Sequence, residues 1–309
     1  MSVSFPKRHV VRPAAVADAR AVAEGVGLAL FAGLAFTISF SLIKALGPGM
    51  PAHETILFRM GFGLLPLLPL LLRAPPGILR TERPFGHIYR IAFGATSMTL
   101  VYWAAARMPL AELTATQFVM PLFLTILSVP LLGEAVGWRR ATATVVGFGG
   151  VLVMLDLAGG GADRLDVVHL VAIAAAFFYA LAAIAMRQLG ATEPALRTAF
   201  YFSTVAAIAG GVGCLFEWVD PTPRELLLLI GTGIFGGAGQ YALVSAYARA
   251  PATIVAPFDY CQLIWATALG FALWGEAPAA EVYLGALIVA GSGLYIFRRE
   301  TIRRKKGSN

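Results

Sequence analysis

Two stretches of the chain repeat one pattern: PLAELTATQFVMPLFLTILSVPLLGE at residues 109–134 and PATIVAPFDYCQLIWATALGFALWGE at residues 251–276. Each residue of the second stretch lies 142 positions after its counterpart in the first. The same shift also superposes residues outside the apolar class: Phe93 and Gly94 on Phe235 and Gly236, Arg107 on Arg249, Pro109 on Pro251, and Gly133, Glu134 and Ala135 on Gly275, Glu276 and Ala277. Matching arginine, proline and glutamate at one constant offset indicates two copies of one structural unit.

The composition indicates a membrane protein. Apolar residues make up 58% of the 309 residues and charged residues 13%, against roughly 45–50% and 25% in an ordinary soluble domain. The apolar runs repeatedly reach about 20 residues, the length that crosses a hydrocarbon core of about 30 Å as a helix. We therefore predict an all-α integral membrane protein of ten transmembrane helices, near residues 24–46, 52–72, 86–107, 109–132, 138–156, 166–187, 194–216, 224–248, 251–274 and 280–297.

These helices form two units of five, residues 24–156 and 166–297, between an N-terminal tail at 1–23 and a basic tail at 298–309. The first 20 residues lack a compact apolar core followed by a cleavage site, so we expect a cytoplasmic tail rather than a cleavable signal peptide. Short loops make most consecutive helices antiparallel neighbours.

The distribution of basic residues predicts the orientation, because lysine and arginine accumulate on the cytoplasmic side. With both termini cytoplasmic, the outside loops hold only Arg107, Arg164 and Arg224 of the 24 basic residues. Because five helices are an odd number, the second unit then enters from the opposite face, so that Glu134 lies inside and Glu276 outside. Such inverted repeats are typical of secondary transporters, which bind substrate at the repeat interface near the middle of the membrane. We expect a multi-pass protein of the cell (inner) membrane.

The two repeated stretches resemble the EamA-type modules of the drug/metabolite transporter superfamily. Arg59, within ILFRMGFG, resembles an arginine common in that family, and GALIVAGSGLYIFRRE at 285–300 resembles its final helix. The resemblance implies a ten-helix carrier with a central cavity that moves amino acids, nucleotides, vitamins or drugs. The segment FDYCQLIWATALGFALWGE resembles the branch with riboflavin and S-adenosylmethionine permeases, and aromatic-amino-acid exporters are similar too. The substrate therefore stays open between an amino acid or related compound and a vitamin or nucleotide-like metabolite.

Ionisable residues at membrane depth are the first candidates for a site, because each needs a partner or a wet cavity. Arg59 lies roughly 10 Å below the outer surface, and Asp259 lies roughly 12 Å above the inner surface at the rise of a helix. Asp259 aligns with Gln117 in the repeat, which puts both near the midplane. We expect Asp259 to bind a proton or a substrate cation and Arg59 to bind a carboxylate or phosphate. Alternatively, Arg59 and Asp259 neutralise each other, or Arg59 forms a structural tie with Glu112.

Aromatic residues offer faces on which a planar or cationic substrate stacks. Tyr241 and Tyr260 are the candidates that lie deepest, and Gln240 adjoins Tyr241 at the end of a glycine-rich segment. In that segment Gly233 and Gly237 have GxxxG spacing, which favours close helix contact. A polar pocket that touches Asp259 and Gln117 would favour a carrier.

Other function classes find little support. The chain has no HExxH, no GxSxG and no spacing of cysteine and histidine for a metal, so we expect neither an enzyme nor a cofactor. The formal charge of +7 comes from short clusters between apolar runs, which does not suggest a nucleic-acid partner. Protons are a candidate coupling ion, and function requires no oligomer. A lipid flippase and a membrane enzyme acting on lipids remain the alternatives.

Overall fold

The computed structural model describes residues 19–132, 137–154, 166–189, 193–249, 255 and 258–307. Every regular element in these residues is helical. In chain order they are α1 (Ala19–Leu46), α2 (Ala52–Gly63), a 3-10 turn (Leu65–Leu67), α3 (Leu68–Leu72), α4 (Pro84–Ala105), α5 (Leu110–Gln117), α6 (Met120–Leu132), α7 (Trp138–Met154), α8 (Val167–Leu189), α9 (Ala195–Gly213), α10 (Pro223–Arg249), α11 (Gln262–Trp274) and α12 (Ala280–Gly307).

These helices make ten crossing segments, because α2 continues through the 3-10 turn into α3, and α5 continues into α6 after a break. Five segments are long and apolar enough to span a bilayer by length and composition: Arg20–Leu46, Ala52–Leu72, Leu110–Leu131, Val167–Met186 and Pro223–Leu243. The predicted all-α membrane fold of ten helices is therefore confirmed.

Two helix ends differ from the sequence prediction by five residues or more. Helix α1 begins at Ala19 rather than at residue 24. Helix α12 continues through the predicted basic tail to Gly307 instead of ending at residue 297. The basic segment contains no proline, and lysine and arginine are good helix formers, so nothing in it terminates the helix.

The boundaries of the helices follow the repeat. Helices α6 and α11 begin at Met120 and Gln262, which are 142 positions apart, and α7 and α12 begin at the equivalent residues Trp138 and Ala280. Helices α2 and α9 each follow an N-cap proline: Pro51 has φ −61° and ψ 140°, and Pro194 has φ −60° and ψ 142°. Proline fixes φ and has no backbone N–H group. It therefore cannot donate the hydrogen bond that would continue the helix towards its N-terminus. Equivalent residues thus set the starts of α6, α7, α11 and α12, and prolines 143 positions apart set those of α2 and α9.

The packing of the helices is symmetric between the two halves. The first crossing of each half packs along the third crossing of the other, α1 on α10 and α8 on α4. The second crossings pack together as α2 on α9, and the fifth crossings as α7 on α12. Each contact therefore has a counterpart in which the halves exchange roles, which is the pattern of a two-fold axis between repeats.

One contact establishes that the repeats run in opposite directions. The backbone N–H of Leu110, the first residue of α5, donates to Oε2 of Glu276 at 3.1 Å. Glu276 follows the end of α11, after Gly275 in a left-handed conformation with φ 67°. The start of one repeat segment thus meets the end of its equivalent, and the two are antiparallel. We call this end of the bundle the Glu276 end.

A buried carboxylate fastens the opposite end, which we call the Glu193 end. The Glu193 side chain, 1% exposed, accepts hydrogen bonds from Thr81 Oγ1 at 2.8 Å, from the N–H of Glu82 at 3.3 Å and from Arg197 Nη1 at 2.5 Å. Burial alone would raise the pKa of Glu193, but these hydrogen bonds, led by that of Arg197, outweigh it and lower the pKa to about 2. Arg197 Nε also donates to the carbonyl of Ile78 at 2.5 Å. The loop before α4 is therefore tied to the start of α9.

Candidate functional site

Both halves contain a break in the fourth crossing. Helix α5 ends at Gln117, and the N–H groups of Phe118 and Val119 bond to carbonyls three residues back, those of Ala115 and Thr116, at 3.1 Å each. In the second half, the N–H groups of Cys261 and Leu263 likewise bond to carbonyls three residues back, at 3.0 and 3.2 Å. Interrupted helices release backbone groups at membrane depth and are a recurring feature of transporter binding sites.

An aromatic pair marks the axis between the halves. The rings of Phe118 and Tyr260 meet edge to face, with centroids 4.8 Å apart and an interplanar angle of 72°. These two residues are equivalent in the repeat. A residue that touches its own equivalent lies beside the axis that relates the two halves, so both helix breaks meet there.

Three of the predicted site residues come together at this axis. Gln117 directly precedes Phe118, and its Nε2 donates to the carbonyl of Ala172 on α8 at 3.4 Å. Asp259 directly precedes Tyr260 and is half-buried. Tyr260 directs its hydroxyl towards Gly293 on α12, where a larger side chain would collide with it. Gln117, Asp259 and Tyr260 therefore surround the two breaks.

Arg59 lies in a second cluster, towards the Glu276 end. Its Nε donates to Ser39 Oγ at 3.3 Å, and Ser39 Oγ in turn donates to the carbonyl of Thr232 at 2.9 Å. Its guanidinium carbon stands 5.4 Å from the centroid of the buried Tyr102 ring. A Cβ atom added to Gly236 would lie 2.9 Å from this carbon, so the absence of a side chain on α10 makes room for the guanidinium.

The structural tie between Arg59 and Glu112 is not formed. Glu112 Oε2 lies 3.4 Å from His169 Nε2 instead. Among the described residues, no carboxylate oxygen comes within 4.0 Å of the Arg59 guanidinium. Arg59 is thus a half-buried cation whose observed contacts are a hydroxyl and an aromatic ring.

A cavity of about 250 Å³ at the Glu276 end reaches the arginine cluster. It is lined by polar and aromatic groups, among them His53, Thr55, Tyr102, Trp103, Arg107 and Glu217. Tyr102 is the ring on which Arg59 rests. The polar pocket that would favour a carrier was expected at Asp259 and Gln117, but neither residue lines this cavity. The sequence could not indicate this because the cavity forms between loop 47–51 and the ends of α4 and α9.

Helix α1 connects the two clusters. Ser39 belongs to the arginine cluster, whereas Gly33 faces α11: a Cβ atom added to Gly33 would lie 3.8 Å from side-chain atoms of Gln262 and Trp265. Six residues of helix separate them, a rise of about 9 Å. Among the described residues, the indole Nε1 of Trp265 finds no hydrogen-bond partner although it is buried. No pattern in the sequence indicates this donor.

The two remaining predicted site residues lie on α10. Gln240 is exposed and sits one helical turn after Gly236, on the helix face that meets Arg59. Tyr241 is 40% exposed and shares a helix face with the exposed Leu227 and Ile234. Gln240 therefore lies one turn beyond the contact of Gly236 with Arg59, and Tyr241 lies on an outer face.

A second feature missed by the sequence analysis closes part of the Glu276 end. Lys44 Nζ pairs with Glu276 Oε1 and donates to the carbonyl of Met108 at 2.8 Å. It also stands 5.3 Å from the centroid of the Trp274 ring. With Leu110 on the other carboxylate oxygen, this tie joins α1, α5 and the end of α11. The described residues contain no group of three His, Cys, Asp or Glu side chains arranged for a metal.

Comparison with known proteins agrees with the fold and the repeat. The profile of the EamA-like transporter family matches the chain twice, at residues 23–156 and 167–298. An S-adenosylmethionine uptake transporter of Rickettsia prowazekii is 31% identical over 85% of this chain and 89% of its own length. A riboflavin transporter of Vibrio cholerae is 30% identical over 93% of this chain and 97% of its own. One solved crystal structure shares the fold with a TM-score of 0.61 at 18% identity, over 88% of this chain and 96% of that one.

Proposed function

Because the chain belongs to the EamA-like transporter family, we propose that it carries a small metabolite with an amino-acid group across the membrane by alternating access. One observation carries the proposal: the Arg59 guanidinium at membrane depth, with a hydroxyl and an aromatic ring as its contacts. A cation there is costly unless an anion accompanies it during part of the cycle. A substrate carboxylate supplies that anion and matches the two-pronged geometry of a guanidinium.

Asp259 supplies the opposite charge at the helix breaks beside the axis. A sulfonium group of the substrate is its proposed ligand, and a proton is the proposed ligand when the substrate is absent. Gln117, as the repeat equivalent of Asp259, offers an amide on the other side of the axis. Tyr260 and Gln240 are proposed to contact the substrate between the charged groups, and Tyr241 has the weakest geometric support of the predicted set.

S-adenosylmethionine is the substrate that fits this arrangement best. It combines a carboxylate, an ammonium, a sulfonium and a planar adenine, and it is the cargo named for the Rickettsia prowazekii relative. Riboflavin is the second candidate, because the edge-to-face pair of Phe118 and Tyr260 offers aromatic surface and the Vibrio cholerae relative is a riboflavin transporter. Riboflavin is uncharged at neutral pH and offers no carboxylate to the Arg59 guanidinium. No observation favours a lipid flippase or a membrane enzyme.

In the proposed cycle the tie between Lys44 and Glu276 opens when the substrate enters from the Glu276 end and reforms when the other end opens. By the distribution of basic residues, the Glu276 end faces outwards and both termini are cytoplasmic in the inner membrane. The tie joins elements of both halves, so one rocking movement can break it. A monomer holds every residue of this scheme.

Binding to the purified protein tests the charge assignments with matched compounds. We expect S-adenosylmethionine to raise the melting temperature in detergent. Decarboxylated S-adenosylmethionine, which lacks the anion for Arg59, and S-adenosylhomocysteine, which lacks the sulfonium, should bind more weakly by about 10-fold, the value of one charge-assisted hydrogen bond. Asp259→Asn should reduce the affinity for S-adenosylmethionine similarly and leave that for S-adenosylhomocysteine less affected.

Two results would contradict these assignments. If riboflavin stabilises the protein and S-adenosylmethionine does not, the substrate class is wrong. If Asp259→Asn binds all three adenosyl compounds like the wild type, Asp259 has no role in recognising the cation.

A further inference from the structure

A second intramembrane arginine repeats the features of Arg59 near the Glu193 end. Arg90 is the seventh residue of α4, about 9 Å along the helix from its start. Its guanidinium carbon lies 4.0 Å from the centroid of the Phe202 ring on α9. Its Nε is buried without a hydrogen-bond partner, and among the described side chains no carboxylate oxygen comes within 4.0 Å of it.

The Arg90 side chain points into the membrane rather than towards the near surface. Helical side chains lean towards the N-terminus of their helix, which for α4 is the Glu193 end, and a lipid-exposed arginine reaches in that direction for the interface. A Cβ atom added to Gly94, one turn deeper along α4, would lie 2.6 Å from Arg90 Nη1. The guanidinium therefore bends towards the middle of the bundle, as a ligand-binding group would.

The repeat relates this cluster to that of Arg59. Gly94 is equivalent to Gly236, which makes room for the Arg59 guanidinium. Phe202 is equivalent to Arg59 itself, when α2 and α9 are aligned by their N-cap prolines. The contact between Gly94 and Phe202 is thus the counterpart of that between Gly236 and Arg59. At the Glu193 end the Phe202 ring occupies the place that corresponds to Arg59, and the Arg90 guanidinium stacks on this ring.

The geometry points to a second oxyanion site, formed by Arg90, Phe202 and Gly94, that binds the substrate carboxylate when the Glu193 end is open. This inference rests on the proposed function. Arg59 then binds the substrate carboxylate when the Glu276 end is open, and Arg90 binds it when the Glu193 end is open. A phospholipid phosphate is an oxyanion of the same chemistry, and the experiment separates the two sources.

Protection of arginines from phenylglyoxal tests the site in the full-length protein. The protein is placed in nanodiscs of phosphatidylcholine, and modification of each arginine is followed by mass spectrometry. We expect 1 mM S-adenosylmethionine to slow modification of both Arg59 and Arg90 at least fivefold, whereas decarboxylated S-adenosylmethionine slows neither. The exposed Arg80 serves as the control and should react at one rate throughout.

Three other outcomes would contradict the second site, the substrate class or the identity of the ligand. Protection of Arg59 without Arg90 removes the second site and leaves the proposed function standing. Protection of neither removes the proposed substrate class, and the second site with it. If phosphatidylglycerol in the nanodisc protects Arg90 and S-adenosylmethionine does not, the site holds a lipid headgroup and the inference is wrong.

Two glycine variants provide an independent test. Gly94→Ala places a methyl group where Arg90 Nη1 and Phe202 lie, so it should abolish protection of Arg90 and preserve that of Arg59. Gly149→Ala, in α7 with nothing within 4 Å of the added Cβ, is the matched control and should preserve both. If Gly94→Ala does not fold, Arg90→Gln is tested in its place. We expect this variant to bind S-adenosylmethionine presented from the Glu193 end at least fivefold more weakly than the wild type. An unchanged affinity overturns the inference.

Discussion

Arg59→Lys is expected to weaken binding of S-adenosylmethionine by up to about 10-fold, because lysine keeps the positive charge but loses the second arm of a bidentate charge-assisted pair, about 1.5 kcal/mol. Binding of decarboxylated S-adenosylmethionine should hardly change, since that compound has no carboxylate for Arg59. The melting temperature without ligand should stay close to that of the wild type. Thermal stability with and without each compound measures all three quantities.

The expected stability of this variant follows from the contacts of Arg59. A cation that balances a buried acid leaves that acid unpaired when it is removed, at a cost of about 3–5 kcal/mol. Arg59 instead contacts Ser39 and the Tyr102 ring. A variant that melts far lower and yet keeps the full response to S-adenosylmethionine would contradict the binding role. The exposed Arg73, at the end of the same crossing, gives the matched control Arg73→Lys, which should change neither quantity.

Glu193→Gln is expected to destabilise the protein by about 3 kcal/mol, the cost of breaking a buried ion pair from one side. The amide oxygen can still accept from Thr81 and Glu82, but Arg197 loses its carboxylate. The measurement is the melting temperature of the purified protein at pH 7. Glu82→Gln, at the neighbouring exposed carboxylate, should cost less than about 1 kcal/mol.

The pH dependence separates this tie from other causes of destabilisation. The pKa of Glu193 is lowered from 4.5 to about 2 in the folded protein. A lowered pKa contributes stability that is complete above the unfolded value and is lost as the pH falls through the folded one. The gap in melting temperature between wild type and Glu193→Gln should therefore close as the pH falls from 4.5 towards 2. A gap that persists at low pH would show that the carboxylate charge is not its cause.

The sequence predicted the parts of the fold that depend on pattern and symmetry. Apolar runs and the shift between Pro109 and Pro251 predicted ten helices in two repeats, and the helices begin at equivalent residues. The GxxxG spacing of Gly233 and Gly237 predicted a close approach, and a Cβ on Gly237 would indeed lie 2.7 Å from the carbonyl oxygen of Gly63. These features are local or strictly periodic, so the order of residues is enough to reveal them.

The features that escaped prediction depend on side-chain direction and on partners remote in the chain. Lys44 and Glu276 were both visible as charged residues, but their pairing joins positions 232 residues apart. The direction of the Arg90 guanidinium has no signal in the sequence, because its turn towards Gly94 is decided by packing. One signal was available: a glycine at both equivalent positions, 94 and 236, indicated that each half leaves space at that level.

The most direct test of the account is counterflow in proteoliposomes. Vesicles are loaded with an excess of unlabelled S-adenosylmethionine and diluted into a trace of the labelled compound. We expect a transient accumulation of label above its outside concentration with the wild type, and none with protein-free vesicles or with vesicles loaded with decarboxylated S-adenosylmethionine. Accumulation of labelled riboflavin in riboflavin-loaded vesicles, together with no exchange of S-adenosylmethionine, would contradict a carrier that recognises an amino-acid group through Arg59.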